Sequence, residues 1–260
     1  MSLKTEYMEL IEEVIDYLKT GFRTTSNQRK ADSRSEGAKE HRISVSRSSP
    51  EMNGPEKPPV APKNGSAEST GEQQRALQEI NQKISRCREC ALFKTRRNTV
   101  PGEGSAEADI VFIGEAPGEM EDIKGRPFVG RAGELLDRML KAITLTRQEV
   151  YITNIVKCRP PQNRTPLPEE IRTCFPYLEK QLQVINPCII CCLGAPAIQS
   201  LINSRTGISR LRGQFHRYKD IPVIATYHPA AVLRFPGKYR RPVWNDLQML
   251  RDYYADMKKQ

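Results

Sequence analysis

Ala108-Asp-Ile-Val-Phe-Ile-Gly-Glu-Ala-Pro-Gly118 passes from an apolar run into a loop of glycine and proline. A short run rich in β-branched residues and bounded by turn signals reads as a buried strand. The same kind of run recurs at Val150-Tyr-Ile-Thr-Asn154, at Cys188–Leu193 and at Pro222-Val-Ile-Ala-Thr226. Between these runs the apolar period lengthens. Gly133–Ile143 reads as a helix with Leu135, Leu136, Met139 and Leu140 inward. Pro168 suits the first turn of a helix carrying Ile171, Cys174, Phe175, Leu178 and Leu182. Ala195–Ile202 forms another, and a C-terminal helix carries Val243, Leu247, Leu250 and Tyr254. Upstream, Leu77, Ile80 and Ile84 mark a helix ending just before Cys87. Strands alternating with helices predict an α/β fold with a parallel sheet. Ligands of such sheets sit beyond the carboxyl ends of the strands. The distinctive loops fall there: Gly114–Gly118, Asn154–Cys158 and Tyr227-His-Pro229.

The amino-terminal third differs in character. Tyr7, Leu10, Ile11, Val14, Ile15 and Leu18 give residues 1–21 one apolar helical face. Residues 22–71 are rich in Ser, Arg, Lys, Glu, Pro and Gly and poor in large apolar residues. Such a segment buries too little surface to offset its ordering entropy and is expected to be a disordered linker. The leading helix then either docks back or binds a partner. Residues 72–260 form the globular domain. The 260 residues carry a formal net charge of +10, which favours a polyanionic partner, nucleic acid first. No run approaches the ~20 apolar residues that span a membrane, and no signal peptide opens the chain. A cytoplasmic monomer is expected.

Seven cysteines without an export signal argue against a disulfide framework. Cys188, Cys191 and Cys192 lie in an apolar run and read as small core residues of a strand. The other four are Cys87-x-x-Cys90, Cys158 and Cys174. Thiolates bind zinc or iron. Only the first pair has the short spacing of a zinc ribbon, and the spread of the others suits a cluster held between elements, but spacing leaves both metals open. Arg86, Arg88, Lys157 and Arg159 would offset the thiolate charge.

Gly114-Glu-Ala-Pro-Gly-Glu119, Gly125-Arg-Pro-Phe-Val-Gly130, Thr153-Asn-Ile-Val-Lys-Cys158, Arg159-Pro-Pro with Asn163-Arg164, and His228-Pro-Ala-Ala-Val-Leu-Arg234 resemble, in order and chemistry, the family 4 uracil-DNA glycosylases. The resemblance covers about Ile84 to Tyr254. It implies a three-layer α/β/α fold with a central four-stranded parallel sheet. It implies a structural [4Fe–4S] cluster on Cys87, Cys90, Cys158 and Cys174, with zinc the alternative. The implied activity is hydrolysis of the N-glycosidic bond of deoxyuridine in DNA, after the nucleotide is flipped from the stack, and it makes a repair or replication protein a candidate partner for the helix at 1–21.

The site residues follow from the resemblance, position by position. Asn154 matches the residue that reads uracil, since one amide offers both the donor for O4 and the acceptor for N3–H. Phe128 matches the ring that stacks on the base. Main-chain amides of Gly114–Gly118, Ala116 among them, and of Phe128 offer further contacts. Gly118 stands where the better-known branch of the superfamily blocks thymine with a Tyr, and Glu121 matches a carboxylate near uracil C5. His228 matches the donor to uracil O2, where negative charge gathers in the transition state. Ala116 stands where that branch has an Asp, which leaves Glu115, and after it Asn163, to orient water. Ala230–Phe235 matches the loop that enters the minor groove, with Leu233 or a neighbour filling the gap and Arg234, Lys238, Arg240 and Arg241 meeting phosphates. A colourless zinc module that only binds DNA is the competing reading. A branch that crosslinks to abasic DNA carries an inserted basic loop, and Arg126-Pro127 and Lys157–Arg164 run without one.

Overall fold

The computed structural model describes residues 67–259. The expected helix at 1–21, and the linker as far as residue 66, lie outside the described residues. Residues 67–71, read above as linker, instead begin the helix α1, Ala67–Arg86, which ends directly before Cys87 as its periodicity predicts. The described elements continue as β1 (Glu103–Gly104), β2 (Ile110–Gly114), α2 (Glu119–Lys124), α3 (Arg131–Ala142), β3 (Tyr151–Asn154) and α4 (Pro168–Ile185). They end with β4 (Ile189–Leu193), α5 (Ala195–Ile202), α6 (Ile208–Leu211), β5 (Phe215–Tyr218), β6 (Ile221–Thr226), α7 (Pro229–Arg234) and α8 (Pro236–Met257). No described helix is long and apolar enough to cross a membrane.

The sheet has six strands in the order β1-β3-β2-β4-β6-β5. The four expected strands form its parallel centre. Two short strands, absent from the four-stranded expectation, close the edges antiparallel: β1 against β3 and β5 against β6. Their sequences hide them. β1 is the pair Glu103-Gly104, and β5 is Phe-His-Arg-Tyr with no buried residue. Short, charged strands are how sheets protect their edges.

Alternate residues of the central strands feed two cores. Ile110, Phe112, Ile189, Cys191, Leu193 and Ile224 pack on one face with α3 and α8. Val111, Ile113, Ile190, Cys192, Val223 and Ala225 pack on the other with α4 and α5. This is the three-layer arrangement. Each fully buried large aliphatic stabilises it by about 1.5–3 kcal/mol. Cys191 and Cys192 are core residues as expected, whereas Cys188 lies before the strand, half-buried, its thiol 3.6 Å from Asp109 Oδ1.

In register, Gly114 pairs with Asn154 and Leu193 with Thr226, so the parallel strands end together. The helices after the neighbours β2 and β4 pass to opposite faces. A crevice opens at such a switch of direction, and the loops after β2, β3 and β6 surround it.

Candidate functional site

A cavity of about 420 Å³ lies over these strand ends. Gly114 packs beneath two of its lining residues, Asn154 and Phe128. A Cβ there would stand 2.7 Å from the Phe128 ring and collide with Asn154 Oδ1, so the missing side chain is what lets these two groups approach. Asn154, last residue of β3, is 1% exposed, and its Oδ1 has no hydrogen-bond partner. An unsatisfied buried carbonyl costs about 1–3 kcal/mol, and Asn154 is among the residues that line the cavity. The main chain of Asn154 is fixed from behind: Lys157 Nζ donates to Asn154 O at 2.8 Å, to Thr153 Oγ1 and to Gln181 Oε1. Burial pulls the Lys157 ammonium down to about 7.

Phe128 and His228 form one wall, their ring centroids 5.5 Å apart and the planes 30° apart. His228 caps α7: its Nδ1 accepts from Ala230 N at 3.1 Å. That bond leaves the ring proton on Nε2, which becomes a donor. Burial lowers the imidazole to about 4, against a smaller pull from Glu121, so the ring is neutral near pH 7. Gly194, at φ +96°, lets the ring's Cβ approach the end of β4. The loop before His228 is anchored by buried Asp246, which accepts from Thr226 Oγ1 (2.6 Å) and from Arg212 (2.6 and 2.9 Å).

Glu115 is half-buried beside Ala116 and hydrogen-bonds Thr165; burial pushes its carboxyl above the usual range. Glu121 turns one oxygen to the amides of Val129 (2.8 Å) and Gly130 (3.0 Å), and the other lies beside Gly118. Asn163 Oδ1 accepts from Arg159 Nε at 2.8 Å. The cavity thus gathers Glu115, Ala116, Glu121, Phe128, Asn154, Asn163, His228 and Arg234, with Gly114 packed beneath.

Four expected DNA contacts, Leu233, Lys238, Arg240 and Arg241, stand apart from the cavity lining. Residues 230–235 are mostly the short helix α7 and not a free loop, because His228 and Pro229 start it and Phe235 N closes it on Ala231 O. Leu233 packs against the core, while Arg234 is exposed and Phe235 is 53% exposed. Lys238, Arg240 and Arg241 lie on α8, outside the cavity lining. Sequence reading passed over Thr165 and Arg147. Thr165 was adjacent to a motif already singled out; Arg147 had no local signal.

A second cavity is lined by four free cysteines, Cys87, Cys90, Cys158 and Cys174, together with Ile84, Phe93 and Arg96. Arg96 Nη1 donates to Cys158 Sγ at 2.9 Å and Lys157 N to Cys174 Sγ at 3.3 Å. Burial pushes the Cys174 thiol up to about 12 and also raises Cys158 and Cys90. Buried thiols of this kind ionise when a cation shares the cavity. Four sulfurs facing one apolar space, two of them met by N–H donors, fit a thiolate-held metal group. No described set of three or more His, Cys, Asp or Glu side chains is arranged to hold a single ion.

A buried amide carbonyl without a partner, an aromatic wall and a neutral imidazole donor at the carboxyl end of a parallel sheet form a site whose shape and chemistry suit a flat heterocycle. The comparisons narrow the class. The family model described as the uracil DNA glycosylase superfamily matches residues 101–248, and the chain belongs to that superfamily. A type-4 uracil-DNA glycosylase of Archaeoglobus fulgidus is 48% identical over 71% of this chain and 91% of its own length. Those of Sulfurisphaera tokodaii (44%, over 68% and 84%) and Thermotoga maritima (42%, over 67% and 92%) are similar.

Proposed function

We propose that this protein is a monofunctional uracil-DNA glycosylase that releases uracil from DNA and leaves an abasic site for base-excision repair. The unpartnered Oδ1 of Asn154 carries the reading. Uracil N3–H supplies the missing donor, and the amide NH₂ of the same side chain donates to O4. Cytosine presents an acceptor at N3 and a donor at C4. It would leave both halves of Asn154 opposed at about 1–3 kcal/mol each.

The reaction breaks the N1–C1′ bond, and its electron pair passes into the base toward O2. His228 Nε2–H stabilises that charge more than it stabilises the neutral substrate. Phe128 supports the ring from one side. A water oxygen forms the new bond to C1′ and loses its proton to solvent or the departing base. Glu115 orients that water, with Thr165 fixing the carboxyl, and Asn163 borders the same space. Glu121 guards the C5 side of the base through its oxygen beside Gly118, while its partner oxygen holds the Val129–Gly130 turn. No lysine stands among the residues lining the cavity, which suits hydrolysis without an imine intermediate. Arg234 and exposed Phe235 meet the DNA at the cavity mouth.

The four cysteines hold a [4Fe–4S] cluster of structural role. A tetrahedral zinc needs its four sulfurs ~2.3 Å from one point, whereas a cluster gives each thiolate its own iron, which suits sulfurs spread around a cavity.

The test is a uracil-containing oligonucleotide incubated with the protein and then treated with alkali. Strand breakage at uracil, and none at cytosine or thymine, is the expected result. An unbroken strand overturns the proposal.

A further inference from the structure

Phe128 has φ 51°, in the left-handed region that residues with a side chain rarely occupy. Something must hold it there, because its ring direction follows from its backbone. Three restraints converge on the stretch from Pro127 to Gly130. The guanidinium of Arg147 donates to Pro127 O at 2.6 Å and to Phe128 O at 3.0 Å. The carboxylate of Glu121 accepts from the next two amides, Val129 N and Gly130 N. Gly133 leaves the Phe128 carbonyl a place that any Cβ would fill. A cation thus takes two successive carbonyls and an anion the two amides that follow.

Arg147 is itself fixed. Its side chain is largely buried and bonded to Asp137 Oδ1 at 2.9 Å, and its Nε lies 3.5 Å from Glu103. Glu103, on the edge strand β1, is paired through both oxygens with Arg126. The turn that carries Arg147 is closed by Glu149, which accepts from Thr146 N and Oγ1. Arg147 does not line the cavity.

We propose that Arg147 is a positioning residue for the base pocket: through the Pro127 and Phe128 carbonyls it presets the Phe128 ring beside His228 before any base arrives. The inference rests on the reading of Phe128 as the wall on which uracil stacks. A planar guanidinium spans two carbonyls at once, which a lysine ammonium on a single stem does less well.

The test needs two readouts. The first is independent of activity. The chain has three histidines, and the imidazole protons of His228 feel the ring current of Phe128 across 5.5 Å. The full-length protein is compared with Phe128→Leu, Arg147→Gln and Arg147→Lys by proton NMR. The Arg147 variants are expected to move the His228 resonances toward their Phe128→Leu positions, Lys less than Gln. The second readout is inhibition by free uracil together with KM and kcat. Inhibition should weaken about tenfold in Arg147→Gln, the scale of one lost stacking contact, with KM rising more than kcat falls and Lys restoring part. Unmoved His228 resonances in Arg147→Gln, or in Arg147→Lys should the glutamine variant fail to fold, would overturn the proposal. Shifted resonances in a protein that excises no uracil would keep the clamp and reject the enzymatic reading.

Discussion

In the proposed reaction Asn154 and His228 divide the work at the pocket, and their surroundings suit that division. Asn154 is buried with one side-chain atom unsatisfied, so its chemistry is complementary to a donor and acceptor pair on one edge of a base. Asn154→Asp keeps the shape and exchanges the NH₂ donor for an acceptor facing O4. Single-turnover excision should fall about 10²–10³-fold, the scale seen when one preplaced donor is removed; a rate within about threefold of native would remove Asn154 from the reading. His228 is set by burial. Its native value of about 4 lies below the ordinary value of 6.5. As pH falls, the unfolded chain therefore takes up this proton first. The contribution of neutral His228 to stability is intact above about pH 6.5 and is lost between there and about pH 4. An NMR titration should show the His228 ring titrating well below 6.5, and excision should show no inflection near pH 6.5 from this group. A His228 midpoint near 6.5 would contradict the packing described.

At the scale of elements, the pocket depends on helices that never touch it. The end of β6 is tied to α8 through Asp246, whose carboxylate joins Thr226 and Arg212, and Arg212 also donates to Pro242 O at 2.9 Å. Arg212→Ala leaves a buried carboxylate without its cation, held only by the Thr226 hydroxyl and the Gly213 amide. Removing one member of a buried pair costs about 3–5 kcal/mol. For a domain of this size, a melting temperature lowered by roughly 6–20 °C is expected. Excision should fall as well, because Tyr227 and His228 follow the anchored strand directly. A native melting temperature would show the pair to be dispensable. None of this was legible locally. The central strands announced themselves because each is an apolar run between turn residues. The loops announced themselves because Gly114, Asn154 and His228 sit at the ends of those runs. The partners that hold them are charged residues distant in sequence: Arg212 joins Asp246 across 34 residues and Arg147 reaches Phe128 across 19. Periodicity carries no information about such pairs. The edge strands escaped for a related reason. Their identity depends on what lies beside them, and their composition is that of a loop.

At the scale of the molecule, the cysteine cavity joins segments that the sheet alone leaves independent. Cys87 and Cys90 follow the end of α1, Cys158 lies in the loop after β3, and Cys174 is on α4. A group bound to all four closes chain loops of large size, and its binding free energy then adds to folding. The connection to the pocket is short. Lys157 N donates to Cys174 Sγ while its Nζ holds the carbonyl of Asn154, so the residue beside one ligand grips the residue proposed to read the base. Loss of the group should therefore lower stability and uracil discrimination together. The purified protein should be brown, absorb near 400 nm and contain four irons per chain. Cys174→Ala should weaken the colour, lower the melting temperature by roughly 10 °C and raise the inhibition constant for free uracil. Asn154→Asp should leave colour and iron content untouched, which separates damage to the scaffold from damage to the reader. A colourless protein holding one zinc would replace the cluster with a single ion. Full uracil affinity in a metal-free, folded protein would break the proposed link between the two cavities.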